Sequence, residues 1–309
     1  MIEFIVDKNV SVNDTTFNSL TDAINALPEK YESAKIYISP GSYYEKIELR
    51  KGNLTIEGLG NAPSDTVMYY DDFARKDMPD GSKYGTFRSY SFFIDANNVT
   101  LKNLTISNTS GPENEAWQAI ALYADGDNLL FENIRLLGHQ DTLFTGPLPP
   151  KEVQPGGFIG PKQFDPRING TQYYKNCYIC GNVDFIFGSA TAYFDYCEIE
   201  SIPRSGADKD VQGYVTAAST PEGQAEGYTF RKCRFVSGDC PEASVYLGRP
   251  WREYAKAILI DCEIGNHIKS EGFHDWNKPL AHETSYYAVR ACYRTDGSFY
   301  IPTADFVKE

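Results

Sequence analysis

Six short segments of the chain repeat one pattern of hydrophobic and polar positions. Each reads apolar, any, any, apolar or Cys, any, apolar, and the segments are LKNLTI (101–106), FENIRL (131–136), YKNCYI (174–179), FDYCEI (194–199), FRKCRF (230–235) and LIDCEI (259–264). The fourth position falls at Leu104, Ile134, Cys177, Cys197, Cys233 and Cys262, at separations of 20 to 43 residues. A fixed pattern at irregular spacing indicates constant short strands joined by variable loops.

The repeat predicts a stacked architecture. One such unit can bury almost no apolar surface alone, whereas stacked strands place equivalent positions above one another and form a continuous core. Apolar residues at period two and turns rich in Asn and Gly, such as NNVT and CGNV, favour strands over helices. We therefore predict an all-β, single-domain parallel β-helix over residues 1–309, in which the four cysteines of the template are buried as small apolar groups.

One helix is predicted before the repeats, over residues 14–30. One of its faces carries the apolar residues Phe17, Leu20, Ala23, Ile24 and Leu27. Asp14 or Thr15 can cap its start, and Pro28 can end it. Because a solenoid needs its open end covered, we expect this helix to be the cap.

Composition and charge narrow the partners and the compartment. The formal net charge of -13 argues against nucleic acid and anionic membranes, which require a positive face. The N-terminal MIEFIVDKNVSVND lacks the basic start and apolar core of a secretion signal, so we expect a cytoplasmic protein. The alternative is a secreted or periplasmic protein whose signal has been removed. Seven irregularly spaced Cys and four His offer no ligand set, so we expect no metal site.

Four polar clusters lie in apolar or Gly-rich surroundings next to repeat units. They are WQAIAL with Gln118, GHQDTLF with Gln140 and Asp141, VDFIFG with Asp184, and YLGRPW with Arg249 and Trp251. In a parallel solenoid, matching points of successive turns line one groove. The clusters can therefore meet despite their separation along the chain.

Two aspartates and an arginine in one groove can perform acid–base or nucleophilic chemistry. An Arg beside a carboxylate keeps it ionised and orients it, while a second carboxyl close by is driven towards its protonated form and suits a general acid. Gln amide groups can donate to a developing oxyanion. Taken singly, each residue also has a structural explanation: an Asp capping a turn, a Gln in a ladder, or Arg249 stacked at the surface on Trp251.

The ordered segments GSYYEKIEL, QAIAL, GHQDTLF, DFIFG and LGRPW resemble the signature segments of the pectin methylesterases. These carbohydrate esterases remove methyl groups from the galacturonate esters of pectin. The resemblance extends from the predicted helix to GFHDW (272–276), nearly the whole chain. It implies a right-handed parallel β-helix that needs no metal or organic cofactor.

The resemblance also implies a role for each candidate residue. Asp184 would be the nucleophile that attacks the ester carbonyl, and Asp141 the general acid that later activates water. Gln118 and Gln140 would stabilise the tetrahedral intermediate, and Arg249 would orient Asp184. The positions that match the sugar cleft are Thr86, Phe144, Phe187, Trp251 and Trp276.

The longest irregular stretch, residues 145–170, is an excursion within the repeat array. Long loops are usually functional or mobile, so we expect it to rise beside the cleft and restrict which pectin chains enter. A solvent-facing insert away from the groove is the alternative. We expect pectin or methylated oligogalacturonides as the substrate, no nucleic-acid or membrane partner, and a monomer.

Two rival functions remain at this point. The first rival is cleavage of the polysaccharide chain itself, because paired carboxylates also serve glycosidases and β-helices also host Ca²⁺-dependent pectate lyases. The glutamines beside Asp141 and Asp184 do not suit a Ca²⁺ cluster. The second rival is a non-catalytic carbohydrate-binding protein. A serine esterase is disfavoured because no Ser lies in a G-x-S-x-G motif.

Overall fold

The computed structural model describes residues 1–111, 117–206 and 210–308. In these residues the chain coils through three sheets whose strands pair in parallel, one strand per sheet in most turns. The first sheet contains β1 (Ile2–Val6), β2 (Thr16–Phe17), β3 (Ala34–Ile38), β6 (Leu54–Gly58), β9 (Val99–Lys102), β12 (Leu129–Glu132), β15 (Thr171–Lys175), β18 (Thr191–Asp195), β21 (Tyr228–Arg231), β24 (Lys256–Ile260), β26 (Tyr286–Arg290) and β28 (Val307–Lys308).

The other two sheets complete each turn. The second sheet contains β4 (Gly41–Tyr44), β7 (Thr66–Tyr70), β10 (Thr105–Asn108), β13 (Arg135–Leu137), β16 (Tyr178–Gly181), β19 (Glu198–Ser201), β22 (Arg234–Val236), β25 (Glu263–Ile264) and β27 (Tyr293–Arg294). The third sheet contains β5 (Ile47–Leu49), β8 (Phe92–Asp95), β11 (Leu122–Asp125), β14 (Leu143–Thr145), β17 (Val183–Gly188), β20 (Gly213–Ala218) and β23 (Val245–Pro250). The predicted parallel β-helix is confirmed.

The turn between the first and second sheets explains the repeated template. In each of the six repeat segments, the residue before the fourth position has a positive φ, for example 50° at Asn103, 52° at Asn133 and 54° at Asn176. Asn adopts this left-handed conformation more readily than most residues. The Asn133 side-chain amide donates to the Asn103 side-chain oxygen at 3.0 Å, which links successive turns.

The interior confirms the predicted cysteine ladder. Cys177, Cys197, Cys233 and Cys262 are at most 2% exposed, all are free thiols, and all belong to the main hydrophobic core. Each thiol donates to a backbone carbonyl, as Cys177 does to Phe131 at 3.3 Å. Cys292 continues the ladder by one turn, although its segment does not fit the sequence template.

The N-terminal helix is shorter than predicted. It is α1, Leu20–Ala26, and Ser19 caps it by accepting from the Asp22 N–H at 3.0 Å. Neither Asp14 nor Thr15 caps it, because Thr16–Phe17 is extended and pairs with β1. The buried face of α1 packs against β1, β2 and β5, so the helix covers the N-terminal end of the core as expected.

Two further segments complete the architecture. Residues 146–170, between β14 and β15, contain neither helix nor strand, and we call them the inserted wall. The short helix α2 (Pro279–Thr284) lies between the last turns of the solenoid. Among the described residues, no helix is long and apolar enough to cross a membrane.

Candidate active site

The candidate nucleophile lies at an irregularity in the third sheet. Asp184 belongs to β17, and the pairing of β17 with β20 shifts register between Val183 and Ile186, which is a β-bulge. Its backbone has a φ of 51°. Bulges re-aim side chains next to active sites, and a left-handed non-Gly residue stores local strain. Asp184 is 8% exposed in an otherwise buried strand.

Arg249 holds the Asp184 carboxylate with two parallel hydrogen bonds. The Arg249 Nε donates to Asp184 Oδ1 at 2.8 Å, and Nη2 donates to Oδ2 at 2.7 Å. The guanidinium lies between two rings, with its Cζ 3.8 Å from the Tyr214 centroid and 3.7 Å from the Trp276 centroid. A bidentate pair fixes both the charge and the direction of the carboxylate. The structural explanation of Arg249 as a surface residue stacked only on Trp251 is therefore wrong.

Asp141 is the second carboxyl group of the site. It precedes β14 with a φ of 65°, and its N–H donates to the Val183 carbonyl at 3.0 Å, one residue before Asp184. Burial, followed by the charge of Asp184, holds the pKa of Asp141 well above its usual range, although Arg249 acts in the opposite direction. The site therefore combines a carboxylate fixed by Arg249 with a carboxyl group that retains its proton.

Gln118 and Gln140 lie side by side on adjacent turns. They form a parallel bridge, in which the Ala119 N–H donates to the Gln140 carbonyl at 3.1 Å. Both line one cavity of about 390 Å³ together with Asp141 and Asp184. Two neutral amide side chains beside a carboxylate can donate hydrogen bonds to a developing oxyanion without competing for the proton of Asp141.

Most of the predicted cleft residues line this cavity. Thr86, Phe187, Trp251 and Trp276 all border it. Phe144 does not line the cavity, and this expectation is corrected: its ring is fully buried and packs against Phe187, with 4.9 Å between the two ring centroids.

Several cavity residues were not predicted from the sequence. Phe87, Gln154, Gly157 and Ala217 also line it. Phe87 follows Thr86 directly, and Ala217 pairs with Arg249 across β20 and β23, so both could be inferred once the register is known. Gln154 and Gly157 belong to the inserted wall, whose direction no repeat predicts.

The inserted wall is attached to the cleft by specific contacts. The Phe158 ring packs 5.7 Å from Phe87 and 6.3 Å from Trp251, measured between centroids. The Lys162 ammonium pairs with Asp95 at 2.6 Å. This arrangement agrees with the expected loop beside the cleft and contradicts an insert far from the groove.

Within 1–111, 117–206 and 210–308, no three His, Cys, Asp or Glu side chains are grouped so that they could hold a metal ion. The cavity joins a carboxylate fixed by an arginine, a protonated carboxyl group and two side-chain amides, an arrangement suited to acyl transfer.

A sequence model of the Pectinesterase family matches residues 7–147 and 168–298. The unmatched internal stretch, 148–167, falls within the inserted wall. A pectinesterase/pectinesterase inhibitor from Prunus persica is 29% identical over 291 residues, which cover 91% of this chain and 49% of that protein. Pectinesterase QRT1 from Arabidopsis thaliana is 32% identical over 283 residues, covering 89% of this chain and 65% of its own length.

The fold has solved counterparts. The crystal structure of a pectin methylesterase in complex with a hexasaccharide superposes with a TM-score of 0.79 and 25% sequence identity. The match covers 100% of this chain and 93% of that one. In contrast, the chain spans between about half and two thirds of the two curated plant relatives.

Proposed function

We propose that this chain, which belongs to the pectinesterase family, hydrolyses the methyl esters of galacturonate residues in pectin or oligogalacturonides and releases methanol. The observation that carries the proposal is the bidentate Arg249–Asp184 pair at a cavity shared with buried Asp141. The solved pectin methylesterase with a bound hexasaccharide supports a carbohydrate substrate.

The first half-reaction begins with Asp184. One of its carboxylate oxygens attacks the ester carbonyl carbon, and the carbonyl electron pair moves onto oxygen. Gln118 and Gln140 donate hydrogen bonds to the resulting oxyanion. As the intermediate collapses, the bond to the methoxy oxygen breaks, and Asp141 gives its proton to that oxygen. Methanol leaves, and the galacturonoyl group remains on Asp184 as an acid anhydride.

The second half-reaction restores both aspartates. Asp141, now ionised, accepts a proton from a water molecule as that water attacks the galacturonoyl carbonyl carbon. The bond between this carbon and the Asp184 oxygen then breaks. The products are a galacturonate carboxyl group and the Asp184 carboxylate, which Arg249 again holds in place.

The experiment is methanol release from highly methylated pectin and from short methylated oligogalacturonides, with a reducing-end assay on the same samples and EDTA present. Methanol without new reducing ends is the expected outcome. New reducing ends or unsaturated products would favour chain cleavage, and binding without turnover would favour a carbohydrate-binding protein. The monomeric state and the cytoplasmic compartment stay proposals, testable by sedimentation and by fractionation of cells.

A further inference from the structure

Trp276 covers the Arg249 guanidinium from an unfavourable backbone conformation. Its φ is 57°, and that of the following Asn277 is 54°. A residue with a bulky side chain avoids the left-handed region because its Cβ crowds the following carbonyl oxygen. Such a conformation persists only where the surrounding structure holds it, and it is often found at functional sites.

His274 supplies the contact that holds this conformation. Its ring Nδ1 accepts a hydrogen bond from the Trp276 N–H at 2.9 Å. His274 is itself fixed to the third sheet, since its N–H donates to the Gly248 carbonyl of β23 at 3.0 Å. The His274 backbone is thus anchored to Gly248, the residue before Arg249, and its ring is bonded to the residue that stacks on Arg249.

The bond to Trp276 requires one protonation state of the imidazole. A backbone N–H can only donate, so Nδ1 must keep its lone pair, and the ring proton must be on Nε2. Protonation of the ring would place an N–H on Nδ1, opposite the Trp276 N–H. Two donors would then face each other, and the bond would be lost.

The structure assigns His274 as a positioning residue for the proposed hydrolysis: its unprotonated Nδ1 holds Trp276 over Arg249, and protonation of the ring releases Trp276 and loosens the Arg249–Asp184 pair. This inference rests on the proposed function. His274 is not among the residues that line the reaction cavity, so it acts through Trp276 rather than on the substrate.

Burial of the His274 ring and the charge of Arg249 favour its neutral form, against the charge of Asp275. Burial lowers the pKa of His274, Asp275 raises it, and Arg249 lowers it again, with a net result below the usual range. The Asp275 Oδ1 is 3.7 Å from Nδ1, while its Oδ2 is bonded to the His282 ring of α2 at 2.9 Å. Two tyrosine rings also pack against the imidazole, with centroid distances of 5.1 Å for Tyr246 and 5.9 Å for Tyr214.

Two variants separate the hydrogen bond from the titration. In His274→Asn, the side-chain oxygen can accept from the N–H two residues later, as in an Asx turn, but the group does not titrate. We expect activity at neutral pH within about threefold of the wild type and an acid limb of the kcat/KM profile that extends to lower pH. His274→Leu lacks an acceptor, and we expect kcat to fall about tenfold.

The matched control is His282→Asn. The His282 ring is bonded to Asp275 at 2.9 Å, whereas the Trp276 N–H is bonded to His274, so the wild-type pH profile should be retained. The inference would be overturned if His274→Leu kept the wild-type kcat, or if His274→Asn kept the wild-type acid limb. Should the Leu variant fail to fold, the Asn variant decides.

A measurement without substrate distinguishes this inference from the proposed function. The imidazole ¹⁵N shifts of the wild type, assigned by comparison with His274→Asn, should report an unprotonated Nδ1 at neutral pH. During acid titration, the imidazole ¹⁵N shifts of His274 and the amide signal of Trp276 should change with the same pH midpoint. A Nδ1–H tautomer at neutral pH overturns the inference whether or not methanol is released. Absence of methanol release with the expected tautomer refutes only the hydrolysis.

Discussion

The floor of the cleft and its inserted wall are built by different means. The floor consists of the outer face of the third sheet: Asp184 lies on β17, which pairs with β14 and β20, and Arg249 lies on β23, the last strand of the sheet, which pairs with β20 and is bridged on its other side by Ile268 and Phe273. The wall, residues 146–170, contains no helix or strand and is attached through side chains such as Phe158 and Lys162. The Pectinesterase family model matches the floor but omits residues 148–167 of the wall.

We propose that the floor carries out the chemistry and the inserted wall selects the substrate. Reacting groups need positions fixed to a fraction of an ångström, and paired strands supply that rigidity. A loop held by a few contacts tolerates changes in length and sequence, so it can alter which chains enter without moving the nucleophile. We therefore expect floor substitutions to abolish turnover and wall changes to alter substrate preference.

The largest effect is expected from Asp184→Asn. An amide is a poor nucleophile and cannot form the acyl intermediate, so methanol release should fall by about 10⁴-fold or more. The strained turn should survive, because Asn adopts positive φ as readily as Asp. Circular dichroism and thermal melting provide the control for folding. Substantial residual turnover in a folded variant would remove Asp184 from the role of nucleophile.

Asp141→Asn should lower kcat by about 10³-fold, because the leaving methoxy oxygen loses its proton donor. It should also stabilise the fold at neutral pH. The raised pKa means that the folded protein keeps a proton which the unfolded chain releases above about pH 4. As the pH rises, the free energy of unfolding of the wild type therefore falls by up to about 1.4 kcal/mol per pH unit until the pKa of Asp141 in the folded protein is passed. The Asp141→Asn variant does not titrate at this position and should not show this loss.

Urea unfolding of the wild type and of Asp141→Asn at acidic and neutral pH measures the difference in their free energies of unfolding. Asp72→Asn is the contrasting control. Burial raises the pKa of Asp72, but its contacts with Lys46 and Lys76 lower it below its usual range overall. Its contribution to stability is therefore present at neutral pH and lost on acidification, so this variant should be destabilised at neutral pH. Equal pH trends for the two variants would contradict the assignment of Asp141 as a retained acid.

Arg249→Lys should lower kcat by about 10²-fold while keeping the charge. Lysine provides a point charge on a flexible chain and cannot hold Asp184 by two parallel bonds between two rings. Arg231→Lys is a matched control away from the cleft. Arg231 makes the same bidentate contact with Asp195, at 2.6 and 2.8 Å, on the outer face of the first sheet. It should change neither activity nor stability appreciably. A similar loss of activity in both variants would indicate a general effect of losing Arg.

The sequence predicted the floor far better than the wall. The repeat template gives the order of strands, and with it the convergence of Asp141, Asp184 and Arg249 on one face. It could not give the bulge at Asp184, which arises where the pairing of β17 with β20 shifts register. It also could not show that Phe144 is covered, because both faces of the third sheet are apolar here and alternation does not distinguish them.

The start of α1 and the path of the inserted wall depend on contacts between segments that are distant along the chain. The periodicity of α1 continues back to Phe17, but pairing of Thr16–Phe17 with β1 overrides helix propensity. The path of residues 146–170 depends on contacts with distant turns, such as Arg252 Nη2 donating to the Lys151 carbonyl at 3.0 Å. No short-range pattern encodes contacts of that kind.

The smallest effect, and the most specific test of the comparison, is expected from shortening the wall. Replacing residues 149–166 with a short Gly/Ser linker removes Gln154 and Gly157 from the cavity and leaves the third sheet intact. We propose that the wall narrows the groove, so its removal should raise the kcat/KM ratio of polymer over short oligomers by about tenfold. Short oligomers should bind more weakly because they lose wall contacts, while kcat should change only a few-fold.

Two point variants locate the origin of this effect. Gln154→Ala removes one cavity side chain but keeps the anchors of the wall, so it should reproduce only the weaker oligomer binding. Phe158→Ala removes the anchor packed against Phe87 and Trp251, so it should release the wall and reproduce the change in preference. An unchanged polymer-to-oligomer ratio in the shortened protein would show that the floor alone selects the substrate. A collapse of kcat instead would show that the wall holds the floor in its reactive geometry, and the proposed division between chemistry and selection would be wrong.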